Sequence, residues 1–219
     1  MNVARTIRDG TLRKEIEYHP GIWFSLLYCF TFGGFVGLAS FLVMFFHDQY
    51  EISKITAGTL TAICVFSGSM ARPLGGLLSD RYGGVRMLTA VLALAALGLM
   101  GIAFMPPIRL AVPLIFATMG ILGLGNGSVF QLVPQRFRKE IGVVTGFIGA
   151  AGGLGGFLMP SVLGLLKQAT GTYAAGFLTL ALAGAGCLVV IVGQKRRWME
   201  RLLPETPMSD PSLAAGVRS

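Results

Sequence analysis

The chain has 219 residues, of which 53% are hydrophobic and only 13% are charged. So small a charged fraction excludes an ordinary water-soluble domain and is typical of a protein with several membrane-spanning segments. The formal net charge of +8 does not indicate nucleic-acid binding, because the basic residues are divided among short segments between apolar stretches and form no single basic face.

Six apolar stretches are long enough to cross a bilayer, which takes about 20 helical residues. Since only an α-helix satisfies every backbone group within one such stretch, the sequence predicts an all-α, polytopic membrane protein with six transmembrane helices. The predicted organisation is a cytoplasmic lead-in (1–20), a six-helix transmembrane bundle (21–194) and a disordered cytoplasmic tail (195–219). The stretches run over residues 21–46, 56–78, 87–105, 110–133, 142–166 and 174–192.

The distribution of lysine and arginine predicts the orientation of these helices. Most of the 18 basic residues lie in the lead-in, in the loops after the second and fourth stretches, and in the tail. By the positive-inside rule, both termini are therefore expected in the cytoplasm, with the chain a multi-pass protein of the plasma or inner membrane. The lead-in lacks the apolar core of a secretory signal and is not predicted to be one.

The first stretch contains three aromatic residues on one helical face. Tyr28, Phe32 and Phe35 are spaced at i, i+4 and i+7. Aromatic rings could cover the faces of a flat anion and exclude water from it, which strengthens a nearby charge interaction. An aromatic stripe by itself more often faces lipid or packs against another helix. Both interpretations stay open for Tyr28 and Phe32, and Phe35 is assigned to packing.

Arg72 is a charged residue inside the second apolar stretch. A guanidinium at the centre of a membrane helix costs ~2.5–3.5 kcal/mol on insertion scales. The acidic residues all lie at or beyond the ends of the stretches, so Arg72 is expected to face a cavity and bind an anion through its planar fork of donors. Pro73 removes one helical hydrogen bond beside it. The alternative is that the long side chain reaches towards the cytoplasmic headgroups.

The segment GLLSDRYGGVR follows Arg72 and predicts a tight loop between the second and third helices. Gly83 and Gly84 are both free to adopt a positive φ there. Asp80 is expected to accept hydrogen bonds from the start of the next helix or to pair with Arg81 or Arg86. A charged loop that only sets topology is the alternative.

Two further features concern the fourth and fifth stretches. Asn126 and Gln131 carry neutral amides, which could line an anion path or hydrogen-bond to a neighbouring helix. The fifth stretch is rich in glycine, and small residues at three- and four-residue spacing predict close helix packing. The bare backbone at Gly146 and Gly149 could also leave room for a substrate.

The segment GLLSDRYGGVR resembles the loop motif that joins the second and third helices of each six-helix half in the major facilitator superfamily. Four other segments resemble the C-terminal half of nitrate/nitrite porters, helices seven to twelve, and the resemblance covers residues 21–194. They are residues 25–35, 70–76, 123–131 and 146–157.

The resemblance implies roles for individual residues. Arg72 would be one of two nitrate-clamping arginines. The other arginine belongs to the family's N-terminal half, which implies as partner an N-terminal six-helix half on another chain, or a second copy. The loop motif implies a gating role, through Gly76, Asp80, Arg81, Gly83 and Arg86.

The leading expectation is transport of nitrate or nitrite, with two halves rocking around a site at the bilayer midplane. The alternatives are a half that carries another small or organic anion, and a truncated or split product that is inactive without its N-terminal half. No enzyme, cofactor or metal is expected, because the sequence lacks paired carboxylates, metal-ligand spacing and a nucleophile–base set. The expected substrate-binding residues are Arg72, Tyr28, Phe32, Asn126, Gly146 and Gly149.

Overall fold

The computed structural model of the protein describes residues 20–136 and 141–202, and the regular secondary structure within those ranges is entirely α-helical. This confirms the predicted fold class. The helices are α1 (Pro20–Tyr50), α2 (Lys54–Tyr82), α3 (Gly84–Ala103), α4 (Ile108–Arg136), α5 (Ile141–Thr170) and α6 (Ala174–Leu202).

Five of these helices are long and apolar enough to cross a membrane, namely α1, α3, α4, α5 and α6. The exception among the described helices is α2, whose 29 residues are sufficient in length for a crossing. Its apolar character is lower because Arg72 lies among several glycine, serine and threonine residues. The least apolar helix of the bundle is therefore the one that carries the intramembrane charge.

The connection between α2 and α3 is shorter than the predicted loop. Helix α2 continues through Tyr82 and α3 begins at Gly84, so that Gly83 alone joins them. Gly83 has a φ of 88°, a conformation that favours glycine. Gly84, which was also free to adopt a positive φ, does not use that freedom: it is helical and packs against Leu132 of α4.

The last helix extends beyond the predicted end of the bundle. The sequence places a disordered tail from residue 195, whereas α6 remains helical to Leu202. The remainder of that tail and residues 1–19 of the lead-in lie outside the described residues.

Helix α2 packs most extensively against α4, and the contact is made backbone to backbone. A Cβ atom at Gly75 would overlap the carbonyl oxygen of Leu124, and a Cβ at Gly127 would overlap that of Arg72. Glycines at such positions allow two helices to approach closely. Helix α4 is therefore held directly against the turn of α2 that contains Arg72.

The glycines of α5 divide between two faces of that helix. A Cβ at Gly152 would lie 2.6 Å from the Tyr28 ring, and a Cβ at Gly155 would overlap the carbonyl oxygen of Cys29, so this face packs on α1. Gly142, Gly146, Gly149 and Gly153 form the other face, and a Cβ at any of them would meet no atom within 4 Å. Close packing accounts for only one of the two glycine faces.

Polar contacts join three helices at the end of the bundle opposite Gly83. Asp48 Oδ2 accepts hydrogen bonds from Lys167 Nζ at 2.7 Å and from the Tyr173 hydroxyl at 2.8 Å. Because about a third of the Asp48 and Lys167 side chains is exposed, we expect the ion pair to contribute only ~0–1 kcal/mol. The contact connects α1, α5 and the start of α6.

Candidate functional site

A cavity of about 530 Å³ lies between α1, α2 and α4, within the size range of small-molecule sites. Three of the six predicted substrate-binding residues, Tyr28, Arg72 and Asn126, meet in its wall. The full lining comprises Tyr28, Ser69, Arg72, Pro73, Asn126, Gly127 and Phe130.

Arg72 reaches the cavity from α2, which remains helical through Pro73. Its Nε is buried without a hydrogen-bond partner, and no carboxylate pairs with it among the described side chains. The guanidinium carbon lies 4.6 Å from the centroid of the Phe35 ring and 5.4 Å from that of Phe32. Cation–π contacts contribute ~0.5–2 kcal/mol each, whereas burying the charge costs ~2.5–3.5 kcal/mol. The charge is attracted by the rings but has no counterion in this part of the chain.

Asn126 is a second unsatisfied group in the wall. Only 3% of the residue is exposed, and neither Oδ1 nor Nδ2 has a hydrogen-bond partner in the described structure. The interhelical hydrogen bond that the sequence left open for Asn126 is therefore not made. An unpartnered buried amide costs ~1–3 kcal/mol, and native proteins keep few such groups unless a ligand or water completes them.

Aromatic rings also lie at the site that contains Arg72 and Asn126. The Tyr28 ring stacks on Phe32, with centroids 4.9 Å apart and planes 9° apart, and meets the edge of Phe130 at 4.8 Å. Phe32 contacts both Tyr28 and Arg72 but does not line the cavity. The predicted aromatic face of α1 is therefore turned towards Arg72, with Tyr28 at the cavity wall and Phe32 behind it.

The other predicted substrate residues are elsewhere. Gly146 and Gly149 lie on the uncovered face of α5 and are not among the residues that line the cavity.

The motif residues lie at the end of the bundle nearest Gly83. Asp80 Oδ1 accepts a hydrogen bond from Gln131 Nε2 at 2.6 Å. Asp80 was expected to bond to the start of the next helix or to pair with Arg81 or Arg86, and the described structure shows none of these contacts. The reason is that Asp80 belongs to the last turn of α2, from which its side chain reaches sideways to α4. Gln131 therefore makes the interhelical hydrogen bond.

Four residues that line the cavity were not selected from the sequence as substrate-binding residues, namely Ser69, Pro73, Gly127 and Phe130. Phe130 follows Asn126 by four residues and Ser69 precedes Arg72 by three, so helical spacing from a selected residue was the available signal for both. Phe35 was assigned to packing, and it is buried and does not line the cavity.

Comparison with known proteins agrees with this architecture. Residues 4–160 match the family model of the Major Facilitator Superfamily. The chain is 35% identical to a protein named "Nitrite extrusion protein" from Bacillus subtilis over 91% of its own length and 50% of the relative's. It is 32% identical to "Probable nitrate transporter NarT" of Staphylococcus epidermidis, over 82% of this chain and 46% of that protein.

A third relative is "Probable nitrate/nitrite antiporter NarK1" of Thermus thermophilus, 30% identical over 78% of this chain and 43% of that protein. The chain thus spans about half the length of the relatives it matches. Because the family model matches most of the residues of this all-helical membrane bundle, the chain belongs to the Major Facilitator Superfamily, a family of transporters and not of enzymes.

Proposed function

We propose that this chain is one half of a transporter for nitrate and nitrite, which moves the anion by alternating access around a site at Arg72. The observation that carries the proposal is the Arg72 guanidinium, which lines a cavity between membrane helices with no counterion in the described structure. The names of its relatives, which refer to nitrate or nitrite, support the choice of anion.

The lining chemistry suits a small planar anion. A guanidinium fork can donate to two oxygens of nitrate at once, which the point charge of a lysine cannot do with the same geometry. Asn126 Nδ2 is free to donate to an anion oxygen, and the Tyr28 ring forms part of the apolar wall. In a site of low dielectric constant, exclusion of water strengthens the attraction between Arg72 and the anion.

A second half would complete the site. In facilitators built from two six-helix repeats, the substrate binds between the repeats and the two rock against each other. The second arginine of the clamp would come from an N-terminal half or from a second copy of this chain. The open face of α5, with Gly146 and Gly149, would then face that half, and the Asp80–Gln131 end of the bundle would take part in gating on the cytoplasmic side.

The coupling is proposed to be anion exchange. No aspartate, glutamate or histidine is among the residues that line the cavity, so this half offers no side chain there to carry a proton with the anion. The relative from Thermus thermophilus is named an antiporter, which agrees with exchange.

Uptake of labelled nitrate into proteoliposomes tests the proposal, with the chain reconstituted alone and with an N-terminal half supplied. We expect uptake with both halves, and we expect Arg72→Lys to reduce it about tenfold or more, which corresponds to ~1.4 kcal/mol of lost binding. Arg109→Lys is the matched control, because Arg109 is exposed at the start of α4.

Two outcomes would contradict the proposal. Full activity of Arg72→Lys would exclude the anion clamp. If unlabelled small carboxylates inhibit uptake but unlabelled nitrate and nitrite do not, the chain belongs to a transporter for organic anions. Chloride is the control for an effect of negative charge alone.

A further inference from the structure

Phe35 contacts the Arg72 side chain more closely than any other described aromatic residue does. Its ring centroid is 4.6 Å from Arg72 Cζ, against 5.4 Å for Phe32. Only 4% of Phe35 is exposed, and the residue does not line the cavity. Phe35 therefore touches the guanidinium from the side that is closed to a ligand.

The position of the Phe35 ring is set by the backbone of α2. A Cβ atom at Gly68 would lie 2.9 Å from Phe35 Cδ2 and still closer to Cε2, so only glycine allows the ring to lie directly on this helix. Gly68 is one helical turn before Arg72, on the same face. The Met119 carbonyl oxygen of α4 also lies beside Gly68, so α1 and α4 both approach α2 closely at this residue.

The backbone of Arg72 is packed against α4, whereas its long side chain is not fixed by that contact. Gly127 of α4 contacts the Arg72 carbonyl oxygen. The backbone of α2 at Arg72 is therefore packed directly against α4. The side chain beyond it has several rotatable bonds and an Nε without a partner, and long basic side chains in membrane helices tend to extend towards the headgroups. Contacts with α1 are what oppose its leaving the cavity.

We propose that Phe35 is a positioning residue that holds the Arg72 guanidinium at the cavity wall without touching the anion. The ring attracts the cation through its π face and itself packs directly on the backbone of α2 at Gly68. Its effect on anion affinity rests on the function proposed above, whereas its effect on the guanidinium does not.

The reactivity of Arg72 with phenylglyoxal, measured by peptide mass spectrometry on the full chain in detergent, tests this directly. Phe35→Leu keeps an apolar side chain but uncovers one face of the guanidinium, so we expect Arg72 to react several-fold faster. Phe35→Tyr keeps the ring and should react at the wild-type rate. Arg109, which is exposed, is the internal reference in every sample.

Phe41→Leu is the matched control, because Phe41 is a buried phenylalanine on the same helix that contacts Tyr173 instead of Arg72. Equal Arg72 rates in Phe35→Leu and Phe41→Leu would overturn the proposal. If Phe35→Leu is not recovered as folded protein, Phe35→Met gives the same comparison with a side chain that fills irregular space.

Uptake kinetics with an N-terminal half present measure the consequence for transport. We expect Phe35→Leu to raise KM for nitrate several-fold with little change in the maximal rate, and Phe41→Leu to leave KM unchanged. If the wild type takes up no nitrate, the proposed function fails, and the phenylglyoxal rates still decide whether Phe35 positions Arg72.

Discussion

Arg72 Nε and both amide atoms of Asn126 are buried without a hydrogen-bond partner in the described structure, and both residues line the same cavity. Each residue destabilises the fold by itself. Arg72 does so because its charge loses hydration, and Asn126 does so because its amide loses hydrogen bonds to water without gaining others. Such groups are retained where they serve a ligand. Stability and anion binding are therefore expected to change in opposite directions when the amide is removed.

Asn126→Leu is expected to raise the stability of the chain and weaken the binding of nitrate. Removing an unpartnered amide from a buried position should stabilise the fold by ~1 kcal/mol or more. Thermal unfolding in detergent measures the first effect, and KM for nitrate uptake measures the second.

Ser128→Ala is the control for Asn126→Leu. Ser128 is buried on the same helix, but its hydroxyl donates to the Leu124 carbonyl oxygen at 2.8 Å. Its removal should lower the Tm or leave it unchanged. A Tm for Asn126→Leu below that of the wild type would indicate that the amide is satisfied in the protein, and would remove it from the proposed site.

At the scale of helices, two glycine-mediated contacts arrange the cavity. The pairing of α2 with α4 fixes the backbone of Arg72 against Gly127, and the pairing of α1 with α5 fixes Tyr28 against Gly152. Both contacts depend on the absence of a side chain. A methyl group would overlap the Arg72 carbonyl oxygen at Gly127, and at Gly152 it would force the Tyr28 ring to shift. The cavity exists because the helices are held in register at these points.

Gly127→Ala is expected to destabilise the bundle by about 1–3 kcal/mol, the usual effect of overpacking. The added methyl group would overlap the Arg72 carbonyl oxygen, which is backbone and cannot rotate away. Thermal unfolding of the purified chain measures the effect.

The matched control is Gly153→Ala on α5, where the new Cβ meets no atom within 4 Å. There alanine should be neutral or slightly stabilising, because it is the better helix former. Equal Tm values for the two variants would show that the α2–α4 contact is looser than described.

At the scale of the whole molecule, one face of α5 has no neighbour within the described chain. Its relatives are about twice as long, and we propose that the second half covers this face.

Gly146→Cys is expected to react with N-ethylmaleimide in the chain alone and to be protected when an N-terminal half is co-purified with it. Gly186→Cys on α6 is the control: a Cβ there also meets no atom within 4 Å, but α6 packs on α3, away from the proposed interface. Cys29, Cys64 and Cys187 would first be replaced. Equal reaction at residue 146 in both samples would contradict the proposed interface.

Much of this architecture was determined by the sequence alone. Five of the six helices follow from local properties, because about 20 consecutive apolar residues specify a membrane helix without reference to any neighbour. The charge of Arg72 inside the less apolar α2 is likewise read from the sequence. The shared face of Tyr28 and Phe32 follows from helical periodicity in the same way. The loop motif indicated where α2 ends but not how short the connection to α3 is. The exact residue at which a helix ends is poorly determined by local sequence.

Only the tertiary structure decided how these helices face one another. The contact of Phe35 with Arg72, the inclusion of Phe130 in the cavity wall and the hydrogen bond between Asp80 and Gln131 each join different helices. They depend on the rotation of each helix and on how closely it approaches the next, which backbone contacts such as that of Gly127 with Arg72 determine. Periodicity within one helix states which residues share a face, and packing between helices decides what that face meets.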